Sequence, residues 1–216
     1  IEELEIRAHN ADKEALLLLG RKYYNGDVVP QDFDKARKYY SGVLVVDNKN
    51  KEALLNLSRI AYGQKKYSEA ALYLKDLIKK MPKYNKKFKH GLGMCYFFMG
   101  RDCFYPKVPS EENYIDGIKF YRKAVQLDNQ FAENNLGNCY CNGVGVLTDY
   151  SKAVELFNRA ANQDNATGQY NLGMCYAKGL GVKQDYKKAA ELYRLASKTI
   201  PEARQYYLEC CRIVNS

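Results

Sequence analysis

FAENNLGNCYCNGVGVLTDYSKAVELFNRAANQDN (131–165) and TGQYNLGMCYAKGLGVKQDYKKAAELYRLASKT (167–199) are two copies of one pattern. Leu136 recurs as Leu172, 36 residues later, and a glycine follows each of them. Self-similarity at a fixed period of this length is typical of repeat proteins, in which each copy is one supersecondary unit. These two stretches therefore decide the fold.

The same register extends through the rest of the chain. A leucine followed by a small residue also stands at Leu19, Leu57 and Leu92. In the second half of each copy a small residue occupies one column, at Ala36, Ala70, Gly117, Ala153 and Ala189. An aromatic residue precedes each of these by three positions. Agreement at so many columns predicts five repeats.

Each copy has the pattern of two amphipathic helices, A and B. Leu19 and Tyr23 are four residues apart, so they share one face of helix A. The small residue after the leucine lets helix B approach closely. The connecting NGVGV and KGLGV segments supply glycines where the chain needs a positive φ. Asp32, Asp149 and Asp185 then stand where the N-cap of helix B is expected.

The consensus of repeats four and five, LGxCYxxGxGVxxDYxKAxELyxxAa, resembles the Sel-one-like repeat, a branch of the tetratricopeptide superfamily. The first repeat matches well, although Asp27 and Val28 alter its glycine loop. The second lacks the loop and resembles a plain tetratricopeptide unit, and the third carries an insertion at 101–113. The resemblance covers nearly the whole chain and implies an all-α, right-handed α/α superhelix with a concave face lined by the A helices.

The expected organisation is an array of about five repeats between two end segments. Residues 1–9 are interpreted as the end of a preceding helix or an N-terminal cap, and 202–216 as a C-terminal capping helix and tail. The repeat array spans 10–201, divided into 10–50, 51–85, 86–130, 131–165 and 166–201.

Composition indicates a folded chain of 216 residues with a net charge of +9 and 46% hydrophobic residues. No stretch approaches the roughly 20 apolar residues of a membrane span. No signal-peptide pattern opens the chain, so we expect a soluble, cytoplasmic protein. Because the chain begins with Ile1 rather than Met, a processed chain and a piece of a longer protein both stay open, as does an export signal upstream of Ile1.

The seven cysteines are expected to be packing residues rather than ligands. Cys95, Cys139, Cys175 and Cys210 share one helix A column. Neighbouring helices lie about 10 Å apart, beyond disulfide reach. Only two histidines accompany them, so no metal or other cofactor is predicted. The pattern fits a reducing compartment. No phosphate loop or nucleophile arrangement is recognisable either, so the chain is predicted not to be an enzyme.

The resemblance implies that helix A residues two and five positions after the leucine face the concave groove. Asparagines cluster around the same columns in the second half. Such amides can both donate to and accept from the main chain of an extended peptide; the alternative is that they only satisfy nearby backbone groups. The predicted partner-binding residues are Arg21, Tyr24, Arg59, Tyr62, Phe97, Asn134, Asn135, Asn138, Asn142 and Asn171.

A lysine-rich stretch, Lys75–Lys89, is the main electrostatic anomaly. Its central residues are Lys79, Lys80, Lys83, Lys86 and Lys87. They could bind a polyanion, either nucleic acid or an acidic membrane, or an acidic protein, or form a solvated helix face.

The predicted function is a non-catalytic scaffold or adaptor that binds a peptide or helix of another protein in the concave groove. Nucleic acid and membrane are the less favoured partners. A third hypothesis is that the repeats regulate a catalytic domain of a larger protein.

Overall fold

The computed structural model describes residues 1–82, 85–106 and 110–215. Within these ranges the chain forms twelve α-helices and no strand, so the prediction of an all-α repeat fold is confirmed. The helices are α1 (Glu2–His9), α2 (Lys13–Asn25), α3 (Phe33–Val46), α4 (Lys51–Gly63), α5 (Tyr67–Lys80), α6 (Asn85–Phe104), α7 (Glu111–Val125), α8 (Gln130–Asn142), α9 (Tyr150–Ala161), α10 (Ala166–Lys178), α11 (Tyr186–Ala196) and α12 (Ala203–Val214).

The chain divides into two compact units, Ile1–Cys95 (unit 1) and Tyr96–Ser216 (unit 2). In unit 1, α2 packs on α3 and α4 on α5; in unit 2, α8 packs on α9, α10 on α11, and α12 on α11. We propose from the sequence register that α2–α3, α4–α5, α6–α7, α8–α9 and α10–α11 are repeats one to five. In this grouping the first helix of each pair is helix A and the second is helix B.

The B helices begin where the aspartates predict. Asp32 accepts backbone N–H bonds from Asp34 and Lys35 at the start of α3. Asp149 and Asp185 cap α9 and α11 in the same way. Because the first turn of a helix has no internal acceptors for its N–H groups, each of these caps satisfies a donor that would otherwise need water.

The core of each pair depends on the small residue that follows the leucine. A Cβ added to Gly137 of α8 would lie 2.6 Å from the ring of Phe157 on α9. That ring is fully buried, with Leu136 and Ala153 also buried beside the same helix pair. The glycine therefore allows helices A and B to approach to the distance at which an aromatic ring fills the space between them.

The loop between the two helices also contacts the preceding repeat. Gly181 has φ of 70°, and a Cβ there would lie 2.5 Å from the backbone carbonyl of Tyr150, at the start of α9. In repeat one the same column holds Val28, with φ of 72° and 82% of its surface exposed. A valine in this backbone conformation is strained, because Cβ crowds the following carbonyl.

Among the described residues, no helix is both long enough and apolar enough to span a bilayer.

Candidate functional site: an amide pocket in unit 2

Four of the predicted partner-binding residues lie in unit 1. Arg21 is exposed and its guanidinium donates to both carboxylate oxygens of Glu52, which joins α2 to α4. Arg59 is also exposed and donates to Asn56 Oδ1 over 3.3 Å. These guanidinium groups are accessible, as expected, and Arg21 is already paired within the chain.

The two tyrosines predicted in unit 1 are half-buried. Tyr24 packs edge-on against Phe33, with ring centroids 5.6 Å apart. Tyr62 packs edge-on against Tyr67 at 5.5 Å. Each ring covers the start of helix B in its own repeat.

The other predicted residues lie in unit 2, where the asparagines form a connected chain of hydrogen bonds. Asn171 Nδ2 on α10 donates to Asn134 Oδ1 over 2.9 Å and to Asn138 Oδ1 over 3.1 Å. Asn134 Nδ2 donates to Asn135 Oδ1 over 3.3 Å. Asn135 Nδ2 in turn donates to the hydroxyl of Tyr121 over 3.1 Å. The chain joins α7, α8 and α10.

The burial of this network contradicts one of the predictions about the asparagines. Asn134 and Asn171 are buried, with only 5% and 8% of their surfaces exposed, so the prediction that Asn134 is accessible to a ligand is wrong. Their amides are paired with each other, which removes the cost of burying an unsatisfied polar group. The alternative, that the asparagines serve only local backbone groups, does not describe this cluster either, because its bonds join side chains of different helices.

The remaining asparagines line a cavity of about 220 Å³. We call it the amide pocket, and its walls include Phe104, Tyr121, Asn135, Asn138, Asn142 and Val144. Asn142 is exposed, and Asn135 and Asn138 are half-buried. Within the described residues, no hydrogen bond engages the amide nitrogen of Asn138 or Asn142, so both can donate into the pocket.

The aromatic wall of the amide pocket is tightly packed. Tyr121 stacks with Phe104, at 5.3 Å between centroids, and with the half-buried Phe97, at 6.2 Å. Burial raises the pKa of Tyr121 to about 12, although the hydrogen bond from Asn135 opposes the shift. The phenol is therefore neutral near pH 7, and its hydroxyl keeps a proton to donate. Phe97, predicted to contact a partner, packs against the ring of Tyr121.

A buried carboxylate next to the site escaped the sequence interpretation. Glu133 on α8 is fully buried; Arg159 Nη2 lies 2.7 Å from its Oε1, and Gln163 donates to its Oε2 over 2.7 Å. Arg159 also donates to the carbonyl of Val125. Burial raises the pKa of Glu133, and the Arg159 charge opposes that shift. Glutamate in a helix usually indicates a solvated face, so only its position in the fold identifies this role.

The cysteine column is buried as predicted: Cys95, Cys139, Cys175 and Cys210 are all buried. Burial raises the pKa of Cys139 and of Cys175 to about 12. Cys141, from a different column, lies close enough to Cys175 of the next repeat that each thiol affects the pKa of the other. Column spacing alone does not reveal that contact.

The predicted basic patch is smaller than its lysine content suggests. Lys79, Lys86 and Lys87 are exposed. Lys80, however, donates to the carbonyl of Asn48 over 2.7 Å and pairs with Asp76 at 3.1 Å. The prediction that Lys80 belongs to a free cationic surface is therefore wrong. Lys83 lies outside the described residues.

Comparison with known families matches most of this chain. The Sel1 repeat model matches residues 13–41, 89–129, 130–165 and 166–198, which together exceed half of the chain. A tetratricopeptide repeat model matches residues 31–85. No curated protein matches the sequence.

Solved structures show the same fold at low sequence identity. The protective antigen c5321 of uropathogenic Escherichia coli strains has a TM-score of 0.52 and 24% identity, over 98% of this chain and 51% of that protein. This chain thus spans about half the length of that relative. A Sel1 repeat protein from Oxalobacter formigenes has a TM-score of 0.54 and 22% identity, over 87% and 71%. YrrB, described as a tetratricopeptide repeat protein with an unusual peptide-binding site, has a TM-score of 0.50 and 16% identity, over 96% of both chains.

Proposed function

We propose that this chain, which belongs to the Sel1 repeat family, is a non-catalytic module that holds an extended segment of a partner protein at the amide pocket. Sel1 and tetratricopeptide repeats generally serve as protein–protein interaction scaffolds. The structural relative YrrB is described as having a peptide-binding site. The finer assignment, to one pocket and one kind of ligand, is our proposal for this chain.

The observation that supports this site most directly is that two asparagine amide nitrogens at the pocket form no hydrogen bond within the described residues. Asn171 on α10 holds Asn134 and Asn138 of α8, and Asn135 is held by Asn134 and by Tyr121 of α7. Asn138 and Asn142 then offer amide donors toward a cavity of about 220 Å³. A peptide group has one donor and one acceptor, and a fixed asparagine can pair with both. Pre-ordered partners lower the entropy that binding must overcome.

Charge favours a ligand recognised by hydrogen bonds rather than by net attraction. Unit 2 contains 15 lysines and arginines against 13 acidic residues in the sequence, so it is almost neutral. Association driven by a strong field would weaken steeply with salt. We expect binding at the amide pocket to change little between low and physiological salt.

Selection of peptides on the whole chain would test this proposal. A displayed library of random linear peptides, about twelve residues long so that an extended segment can cross neighbouring repeats, is enriched on the chain and then measured against variants. Asn138→Ala with Asn142→Ala should weaken the enriched peptides about tenfold, by removing two hydrogen bonds.

Asn158→Ala is the matched control, because Asn158 is exposed on α9 and takes no part in the pocket. Its Kd should equal that of the unchanged chain. Peptides that bind the Asn138→Ala, Asn142→Ala variant as tightly as the unchanged chain would show that the amide pocket is not the site.

A further inference from the structure

A second pocket in unit 2 lies between α10, α11 and α12. Its volume is about 320 Å³, and we call it the tyrosine pocket; its walls include Tyr170, Lys178, Tyr193, Tyr206, Glu209 and Ile213. Three of its rings are in mutual contact: Tyr170 and Tyr206 have centroids 5.6 Å apart, and Tyr193 and Tyr206 5.4 Å. Tyr206 is 40% exposed, so this aromatic cluster reaches the surface.

The tyrosine pocket stands in the same repeat columns as the amide pocket, two repeats further along. Its wall residues correspond by register as Tyr193 to Tyr121, Tyr206 to Asn135, Glu209 to Asn138 and Ile213 to Asn142. In the position between them, Asn171 occupies the column of Asn135 and Tyr206, and it is buried and bonded to Asn134. One repeat geometry thus yields a polar pocket, a filled position and an aromatic pocket in succession.

Elsewhere in this chain several tyrosine rings have a lysine over one face. Lys152 lies 5.6 Å from the centroid of Tyr140, and Lys188 lies 5.2 Å from that of Tyr176. Within the described residues, no lysine or arginine stacks on Tyr170, Tyr193 or Tyr206. Their ring faces are electron-rich and attract cations.

A carboxylate stands beside these rings. Glu209 is exposed and lines the pocket, and it forms no ion pair among the residues the structure describes. Lys178, on the α10 side, is the only cation that we find among the described lining residues. Rings with an available carboxylate suit a planar guanidinium, which can stack on tyrosine while its N–H groups bond the carboxylate.

We propose that the tyrosine pocket receives an arginine side chain from the same partner segment that occupies the amide pocket. This inference rests on the proposed function. Successive A helices pack roughly 10 Å apart, so the two pockets are separated by roughly 20 Å. An extended chain advances about 3.3–3.6 Å per residue, which places the arginine about six residues from the main-chain contact at the amide pocket.

The test uses a probe that does not depend on any peptide: N-acetyl-arginine methylamide, titrated into the whole chain and followed by two-dimensional NMR. Two neutral or acidic analogues, built on norleucine and glutamate, are titrated in parallel. The arginine probe should give saturable shifts confined to α10–α12 and bind at least about fivefold more tightly than the norleucine analogue, as a cation held by ring faces requires.

Two variants at exposed positions test whether negative charge at the pocket strengthens binding of the arginine probe and positive charge weakens it. Glu209→Gln should weaken the arginine probe about threefold to tenfold, and Lys178→Ala should tighten it. Equal affinity for the norleucine analogue, no saturable shift in α10–α12, or tighter binding by Glu209→Gln would each overturn the proposal. Because the Asn138→Ala, Asn142→Ala variant leaves this pocket intact, unchanged peptide binding by that variant together with saturable binding of the arginine probe would count against the proposed function alone.

Discussion

Unit 1 and unit 2 fill the same repeat columns with different chemistry. Two residues after the leucine, unit 1 carries Arg21 and Arg59, both exposed, and Arg21 is paired with Glu52. Unit 2 places Asn138 in that column, bonded to Asn171 and facing a cavity. The sequence of unit 1 has 19 basic against 12 acidic residues, whereas that of unit 2 has 15 against 13.

The repeat pattern determines where the helices pack, whereas the side chains between its columns determine what kind of surface they form. The period and the small-residue columns define where helices A and B meet, and they do so in both units. The residues between those columns define whether a position becomes an exposed ion pair, a buried amide network or a pocket. We therefore expect recognition to be local to unit 2, and the variants below test the difference in order of decreasing effect.

The largest expected change in the free energy of unfolding is at the loop column that contains Val28 in unit 1 and Gly181 in unit 2. Gly181→Val should lower the free energy of unfolding by about 3 kcal/mol, because it adds left-handed strain and a contact with the Tyr150 backbone that overpacks the site. Unit 1 already carries Val28 in this column. Urea unfolding followed by circular dichroism would measure the change, with the exposed Lys183→Val as control. A loss below about 1 kcal/mol would mean that the loop does not lock the repeats together.

The amide network should contribute more stability than the ion pair in unit 1. Asn171→Leu leaves the buried carbonyl of Asn134 without its donor and should cost about 2 kcal/mol. Glu52→Gln breaks the exposed pair with Arg21 and should cost about 0.2–1 kcal/mol. Equilibrium urea unfolding of both variants compares them directly. Equal losses would remove the distinction between a buried and an exposed polar contact.

Alkaline pH should destabilise unit 2 more than unit 1, because unit 2 contains more of the buried thiols. Burial raises the pKa of the Cys139 and Cys175 thiols to about 12, so the unfolded chain releases these protons earlier, from about pH 9. Stability therefore falls as pH rises above about 9, by about 1 kcal/mol per thiol at pH 10. Unit 1 contains one such thiol, Cys95, whose pKa burial also raises to about 12, and its buried Tyr40 has this effect only above about pH 10.

Thermal unfolding between pH 8 and 11 would reveal the contribution of Cys139 and Cys175. The unchanged chain should lose stability more steeply between pH 9 and 10 than a Cys139→Ala, Cys175→Ala variant. The slopes with pH are compared rather than the absolute stabilities, because both substitutions also remove buried sulfur atoms. Identical slopes would show that these thiols do not control the alkaline limit.

The smallest expected effect is a gain in unit 1. Val28→Gly relieves a left-handed valine, worth about 1–2 kcal/mol, and loses part of this gain to the greater flexibility of glycine in the unfolded chain. The net stabilisation should be about 0.5–1 kcal/mol, measured by urea unfolding. A destabilised Val28→Gly variant would show that this exposed valine contributes packing.

The features that follow from periodicity could be predicted from the sequence. The leucine column, the small residue after it and the aspartate before helix B each act through local geometry or through the nearest helix. Leu19 and Leu136 are therefore buried, and Asp149 caps its helix, as predicted. The cysteine column is buried for the same reason.

The site could be predicted only in part, because polar residues bury each other in pairs. Asn134 and Asn138 are four residues apart and both accept from Asn171, yet one is buried and the other lines a pocket. A single helix pattern cannot distinguish them, since the distinction depends on α10. For the same reason Glu133 was missed and Lys80 was wrongly assigned: each is held by a partner about thirty residues away, Gln163 and Asn48 respectively.

The contact between Gly181 and Tyr150 also defines how such an array can be cut and rejoined. The loop of one repeat lies against an aromatic residue in the first turn of helix B in the repeat before it: Gly181 against Tyr150 and Gly145 against Tyr114. A helix pair moved to another array would therefore carry a glycine loop that fits the B helix of its original preceding repeat, and that contact would be lost. Grafts, deletions and duplications should preserve the structure best when each junction falls between a glycine loop and the B helix that follows it, so that every glycine loop travels with the aromatic residue it touches.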